Sequence, residues 1–104
     1  MGIEQILQSE IQESQKALVG PIDDRIYRRD HSKRIELINW VLLQMKNPDT
    51  FICEIIEFRM NEIIDKINKT HDFFEADPLH SELQILDWIF YQVCSNQIKG
   101  YNTK

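Results

Sequence analysis

The sequence predicts an all-α protein, built as a four-helix antiparallel bundle or as two stacked helical hairpins. Three observations carry that expectation. Apolar residues recur three and four apart along most of the chain, the period of one helix face. No stretch alternates apolar and polar residues between Asn-Gly or Asp-Gly turns, so strand signals are missing. The breakers Gly20-Pro21, Asn47-Pro48 and Asp77-Pro78 divide the chain into segments of helical length with short connections. A chain of 104 residues, 42% of them hydrophobic, suffices for one core, and only three glycines and three prolines exclude collagen-like and low-complexity classes.

The first helix is expected over Ile3–Val19, with Ile3, Ile6, Leu7, Ile11 and Leu18 on one stripe and Glu4, Gln8, Gln12 and Gln15 off it. The stripe thins at Ser14. Gly20 and Pro21 end the helix, through a permissive residue and a missing donor. Residues 22–34 leave two arrangements open. Asp23 or Asp24 caps a helix with Ile22, Ile26 and Tyr27 facing inward, but residues 28–34 contain no apolar side chain. Either a long helix projects beyond the core or it breaks near Asp30, whose carboxylate caps a new start. Ile35, Leu37, Ile38, Val41, Leu42 and Met45 then form a broad apolar face.

A third helix follows Asp49 or Thr50 and runs to about Lys69. Phe51, Ile52, Ile55, Ile56, Met60, Ile63, Ile64 and Ile67 make a face wide enough for two neighbours, with Phe58 on another side. The connection 70–77 holds Phe73-Phe74. Asp77 as cap and Pro78 in the first turn mark the start of the fourth helix. It carries Leu79, Leu83, Ile85, Leu86, Ile89, Phe90, Val93 and Ile98, with Gly100 after its last turn. Residues 1–100 thus form one helical domain and 101–104 a frayed tail.

One internal echo appears at a shift of 48 residues. IELINWVLLQM (35–45) aligns with LQILDWIFYQV (83–93), placing Trp40 on Trp88 and Gln44 on Gln92. A duplicated hairpin would produce this, and so would the general likeness of amphipathic helices.

The formal net charge of −5 and pI near 5.1 oppose non-specific attraction to a phosphate backbone. The charge is uneven. Arg25, Arg28, Arg29, Lys33 and Arg34 stand together against Asp23, Asp24 and Asp30, whereas residues 51–77 sum to −4. No apolar run reaches a membrane span, and MGIEQILQSE has neither the basic start nor the apolar stretch of a signal peptide. A cytoplasmic protein without membrane attachment is expected. Cys53 and Cys94, inside apolar helical patterns, fit buried thiols of a reducing compartment; a bridge would need Cα atoms within about 7 Å.

Chemistry-bearing patterns are sparse. Arg25, Arg28, Arg29 and Lys33 fall three or four apart on one helix face beside Tyr27. Such a stripe binds phosphates or an acidic partner, or is a solvated face neutralised by neighbouring aspartates. The spacing of Arg25 and His31 resembles the active-site motif of the HEPN family, helical proteins that often cut RNA as dimers. The resemblance spans seven residues, with Ile26 where that family has a polar residue. It implies that Arg25 stabilises phosphate charge while His31 positions or transfers a proton at a ribose hydroxyl.

His31, His71 and His80 never pair at helical spacing, Glu54 and Glu57 have no histidine beside them, and no Gly-rich phosphate loop is present. Neither a metal, a cofactor nor a catalytic residue is therefore expected. Trp40, Trp88 and Tyr91 fit either the boundary of a core or an interface hot spot. Leu83, Ile85, Leu86, Trp88, Ile89, Phe90 and Tyr91 cover most of the fourth helix's circumference, more than a lone bundle is expected to hide. The functional expectation is a small non-catalytic regulator, adaptor or inhibitor acting by protein–protein contact. It would pair with a second copy through Trp40, Trp88 and the fourth helix, and bind through Arg25, Arg28, Arg29, Lys33, Trp40, Trp88 and Tyr91. The rival is a nucleic-acid-binding protein or ribonuclease built on Arg25, Arg28, Arg29 and His31.

Overall fold

The computed structural model describes residues 2–94. They form α1 (Ile3–Val19), α2 (Arg25–Met45), α3 (Ile52–Lys69) and α4 (Phe73–Cys94), with no strand among the described residues. Helix α1 packs on α2 and α3 on α4, and the two hairpins meet mainly along α2 and α4. The shared core comprises Leu7, Leu37, Ile38, Val41, Ile56, Ile63, Ile85, Leu86, Ile89, Val93 and Cys94. Each large aliphatic side chain buried in this way contributes about 1.5–3 kcal/mol.

Local chemistry sets the helix ends. The Gly2 backbone N–H donates to Gln5 Oε1 at 3.2 Å, and α1 keeps its expected bounds. Gly20 is extended, at φ −78°, so its left-handed freedom is unused and the stop comes from Pro21's missing donor. Asp24 caps α2, its carboxylate accepting from the Tyr27 N–H at 2.9 Å. From there α2 runs unbroken through residues 28–34, so no new start occurs at Asp30. For α3, neither Asp49 nor Thr50 serves as the cap. Phe51 occupies that position without a side-chain bond, while Asn47 folds the connection by accepting from the Asp49 N–H at 3.0 Å.

The start of α4 departs most from expectation. It lies at Phe73, one turn before Asp77, and Pro78 sits inside the helix. Asp72 supplies the cap: its carboxylate accepts from Phe74 N–H at 3.0 Å and its carbonyl from Glu75 and Ala76. Pro78 removes only the donor that would meet the Phe74 carbonyl, in a turn where Phe74 is 83% exposed and water reaches it. Asp77 is released from capping and turns toward α2. Ile98, Gly100 and residues 101–104 lie outside the described residues.

The two cysteines are not free. Cys53 and Cys94 form a disulfide, Cα–Cα 5.9 Å, joining the start of α3 to the end of α4. Helical periodicity hid this, because each residue fits its own apolar stripe. The cytoplasmic expectation loses the free-thiol argument on which it partly stood. No described helix is long and apolar enough to cross a membrane.

The internal echo extends through all four helices. A shift of 48 residues carries the buried Leu37, Ile38 and Val41 of α2 onto the buried Ile85, Leu86 and Ile89 of α4. A shift of 49 carries Ile3 onto Ile52, Leu7 onto Ile56 and Ser14 onto Ile63, so the buried residues of α1 fall on those of α3. One pair of mates across the shift touches: Arg29 meets Asp77 at 3.3 Å. The hairpins α1–α2 and α3–α4 thus bury matching positions and pack through matching helices.

Candidate protein-interaction surface

The polar run of α2 lies against neighbouring helices rather than in water. Arg28 donates to the Leu18 carbonyl at 2.7 Å, tying α2 to the end of α1. The Arg29 guanidinium donates to Asp30, Asp77 and Ser81 at 3.0–3.3 Å. Burial of Arg29 disfavours its charge, but hydrogen bonds and attraction from Asp30 and Asp77 outweigh that and raise its pKa. Lys33 pairs with Glu36 at 3.2 Å and Arg34 with Glu10 at 3.1 Å. The stripe is thus built largely into the bundle. Of Arg25, Arg28, Arg29 and Lys33, only Arg25 is exposed and without a partner among the described residues. It lines a broad polar cleft with Asp23, Asp24, Ile26 and Arg29.

Arg25 and His31 are not brought together. Six residues apart on a continuous helix, they point about 120° from one another. His31 turns instead toward α1, its Nδ1 3.0 Å from the Ser14 hydroxyl, with Tyr27 edge-on at 4.5 Å. Ser14 is fully buried. The bond to the part-buried His31 satisfies a polar group in the core. The clue in the sequence is Ser14's place in the α1 apolar stripe, which requires a polar partner from elsewhere.

Most of the apolar circumference of α4 is consumed within the chain. Ile85, Leu86, Ile89, Val93 and Cys94 are buried, and Leu83, Trp88 and Phe90 are partly so. Tyr91, 64% exposed, is the exception along its later turns. Of the residues expected to overfill α4, Tyr91 alone stays exposed, because the helix packs on α2, α3 and α1 together; Phe73 and Phe74 add exposed apolar surface at its start. Trp88 lines a small polar cleft with Asp30, Arg34, Ser81 and Gln84.

Uncovered apolar side chains are spread over the surface, with Val19, Ile22 and Ile26 around the α1–α2 connection, Leu43 on α2, and Phe58 and Ile64 on α3. Phe51, the cap residue just before α3, is 72% exposed, and Phe58, within the helix, is 66% exposed. Beside Phe58, a cleft of about 310 Å³ is lined by Trp40, Ile55, Arg59, Glu62, Lys66 and Glu82 among others. The Arg59 guanidinium lies 4.7 Å from the centre of the Trp40 ring and pairs with Glu82 at 3.2 Å, which fixes the cleft's floor. Glu54, Glu57 and Glu62 are exposed around the two phenylalanines. Further exposed aromatics, Phe73 and Phe74, stand at the start of α4. Of the predicted contact residues, Trp40 alone joins this surface. Periodicity had set Phe58 apart from the core stripe, yet gave no reason to group it with Trp40 of another helix.

Among the described residues, no group of three histidine, cysteine, aspartate or glutamate side chains is placed to hold a metal ion. Comparison with protein-family models, curated proteins and solved structures finds no match to this chain.

Proposed function

We propose that this protein acts by protein–protein contact, as a small non-catalytic regulator, adaptor or inhibitor. One observation supports this reading above the rest: Phe58 stands exposed on α3 beside the Trp40 cleft, with Phe51 exposed at the helix's cap, while Arg29 and His31 help to hold the bundle together. Exposed aromatic side chains next to a pre-formed pocket are the usual anchors of an interface. A solitary domain gains nothing from leaving two phenylalanines in water.

The test places a photo-cross-linking amino acid at Phe58 and, as a control, at the exposed Gln8 of α1, in the native host. The reading expects a defined adduct from position 58 and none from position 8. A chain that stays monomeric over a wide concentration range and forms no specific adduct at any exposed aromatic would refute it.

A further inference from the structure

The matched burial of the two hairpins lets the surface of α3 be compared with that of α1. On α1, the positions matching Phe51, Glu54, Glu57 and Phe58 are Gly2, Gln5, Gln8 and Ser9. Both helices bury equivalent core residues and pack on equivalent partners. The fold therefore requires neither the aromatics nor Glu54 and Glu57 on this face, since α1 fulfils the same structural task with small or neutral polar side chains there; Glu62 alone has an acidic mate, Glu13. Whatever distinguishes the face of α3 serves something outside the bundle.

Two features distinguish it. The first is Phe58, exposed next to a cleft with an aromatic floor, with Phe51 exposed at the helix's cap. The second is charge. Glu54, Glu57 and Glu62 surround the phenylalanines, and none of them has a cationic partner among the described residues. Nearby, Arg59 is committed to Trp40 and Glu82, and Lys69 to Asp65 at 3.0 Å. Lys66 also lines the cleft, but the three glutamates outnumber it, so the free charge around the aromatics is negative. A second copy of this chain is poorly suited to answer it, because Arg28, Arg29 and Arg34 are engaged across their own bundle and Lys33 pairs with Glu36, which leaves Arg25 as the one free cation of the basic segment among the described residues.

We propose that the outer face of α3, from Phe51 to Glu62 with the Trp40 cleft, docks a cationic amphipathic helix of another protein. An apolar residue of that helix enters the cleft against Phe58 and Trp40. Lysine or arginine side chains on its flanks meet Glu54, Glu57 and Glu62. This deepens the contact reading above and rests on it.

The experiment uses the full chain carrying Trp88→Phe, so that Trp40 is the sole indole reporter. The probe is a synthetic helix-forming peptide with leucines on one face and lysines on the other. Two further peptides serve as comparisons, one with glutamates replacing the lysines and one with the lysine peptide's composition scrambled. Titration is followed by Trp40 fluorescence and calorimetry. The lysine peptide is expected to bind, to lose about tenfold in affinity on Phe58→Ala, and to lose a similar factor on joint Glu54→Gln and Glu57→Gln. Ser9→Ala, at the matching place on α1, is expected to change nothing. Phe58 and both glutamates are exposed, so these variants keep the fold, which circular dichroism checks.

Equal binding by the scrambled peptide, binding indifferent to Phe58→Ala, or no binding by the lysine peptide would each overturn the proposal. So would a concentration-dependent dimer that Phe58→Ala dissolves, since a second copy would then be the occupant. A cross-linked partner attached at Phe73 or Phe74 but not at Phe58 would remove this site while leaving the contact reading intact.

Discussion

The buried Ser14–His31 pair lends itself to a double-mutant test, because the other hairpin shows what an apolar version looks like. Ile63 and Leu79 hold the matching positions, and both belong to the core or pack against it. Changing His31→Leu alone leaves a fully buried hydroxyl without its partner at 3.0 Å. That costs about 1–3 kcal/mol, toward the lower end if the hydroxyl turns back to the Glu10 carbonyl one helical turn away. Changing Ser14→Ile alone forces extra carbons against an imidazole and costs about 1–3 kcal/mol by overpacking. Making both changes reproduces the α3–α4 solution and should leave stability within about 1 kcal/mol of the parent, since removing both partners strands no polar group. A favourable coupling of about 2 kcal/mol is therefore expected. Urea unfolding followed by circular dichroism measures it; thermal scans should show each single variant about 4–8 °C lower per kcal/mol lost. Additive losses, with the double variant worse than either single, would refute both the buried-pair account and the equivalence of the hairpins.

Two more outcomes follow from the backbone and the disulfide. Pro78→Ala restores a donor to the Phe74 carbonyl and should stabilise the chain by about 1 kcal/mol or more, read as a higher urea midpoint; a loss of stability would mean that α4 begins near Asp77 after all. Reduction, or Cys53→Ser with Cys94→Ser, should cost about 4 kcal/mol by the loop-closure relation for a separation of 41 residues, with a thermal midpoint that falls under reductant. An unchanged midpoint would show the bridge to be absent or dispensable.

Periodicity made most of the fold legible. Both bounds of α1, the apolar faces of α2 and α3, and the core half of α4 all follow from side chains recurring at helical spacing. What escaped is what depends on a second helix. Residues 28–34 looked stranded in solvent because their partners, Leu18, Asp77, Ser81, Ser14 and Glu10, come from α1 and α4. Asp77-Pro78 has the form of a helix start, but Asp72 caps one turn earlier and Asp77 pairs across the bundle. The disulfide and the Phe58–Trp40 surface likewise join residues far apart in sequence, where one-dimensional spacing carries no signal. In the same way, the width of α4 was readable, but whether neighbours or solvent met it was not.

The reversed polarity of the matched ion pairs bears on how the chain finds its partners during folding. Glu10–Arg34 fastens the first hairpin and Arg59–Glu82 the second, the same two positions with acid and base exchanged. Were α1 to settle on α4 in place of α2, Glu10 would face Glu82, and the leftover α3 would bring Arg59 against Arg34. Both mistakes repel. Two first hairpins from separate molecules would fare no better, since Arg29 would meet another Arg29 where it now meets Asp77. A near-symmetric chain thereby admits one arrangement of its four rods and disfavours shuffled ones, at the modest cost of three partly exposed charge pairs.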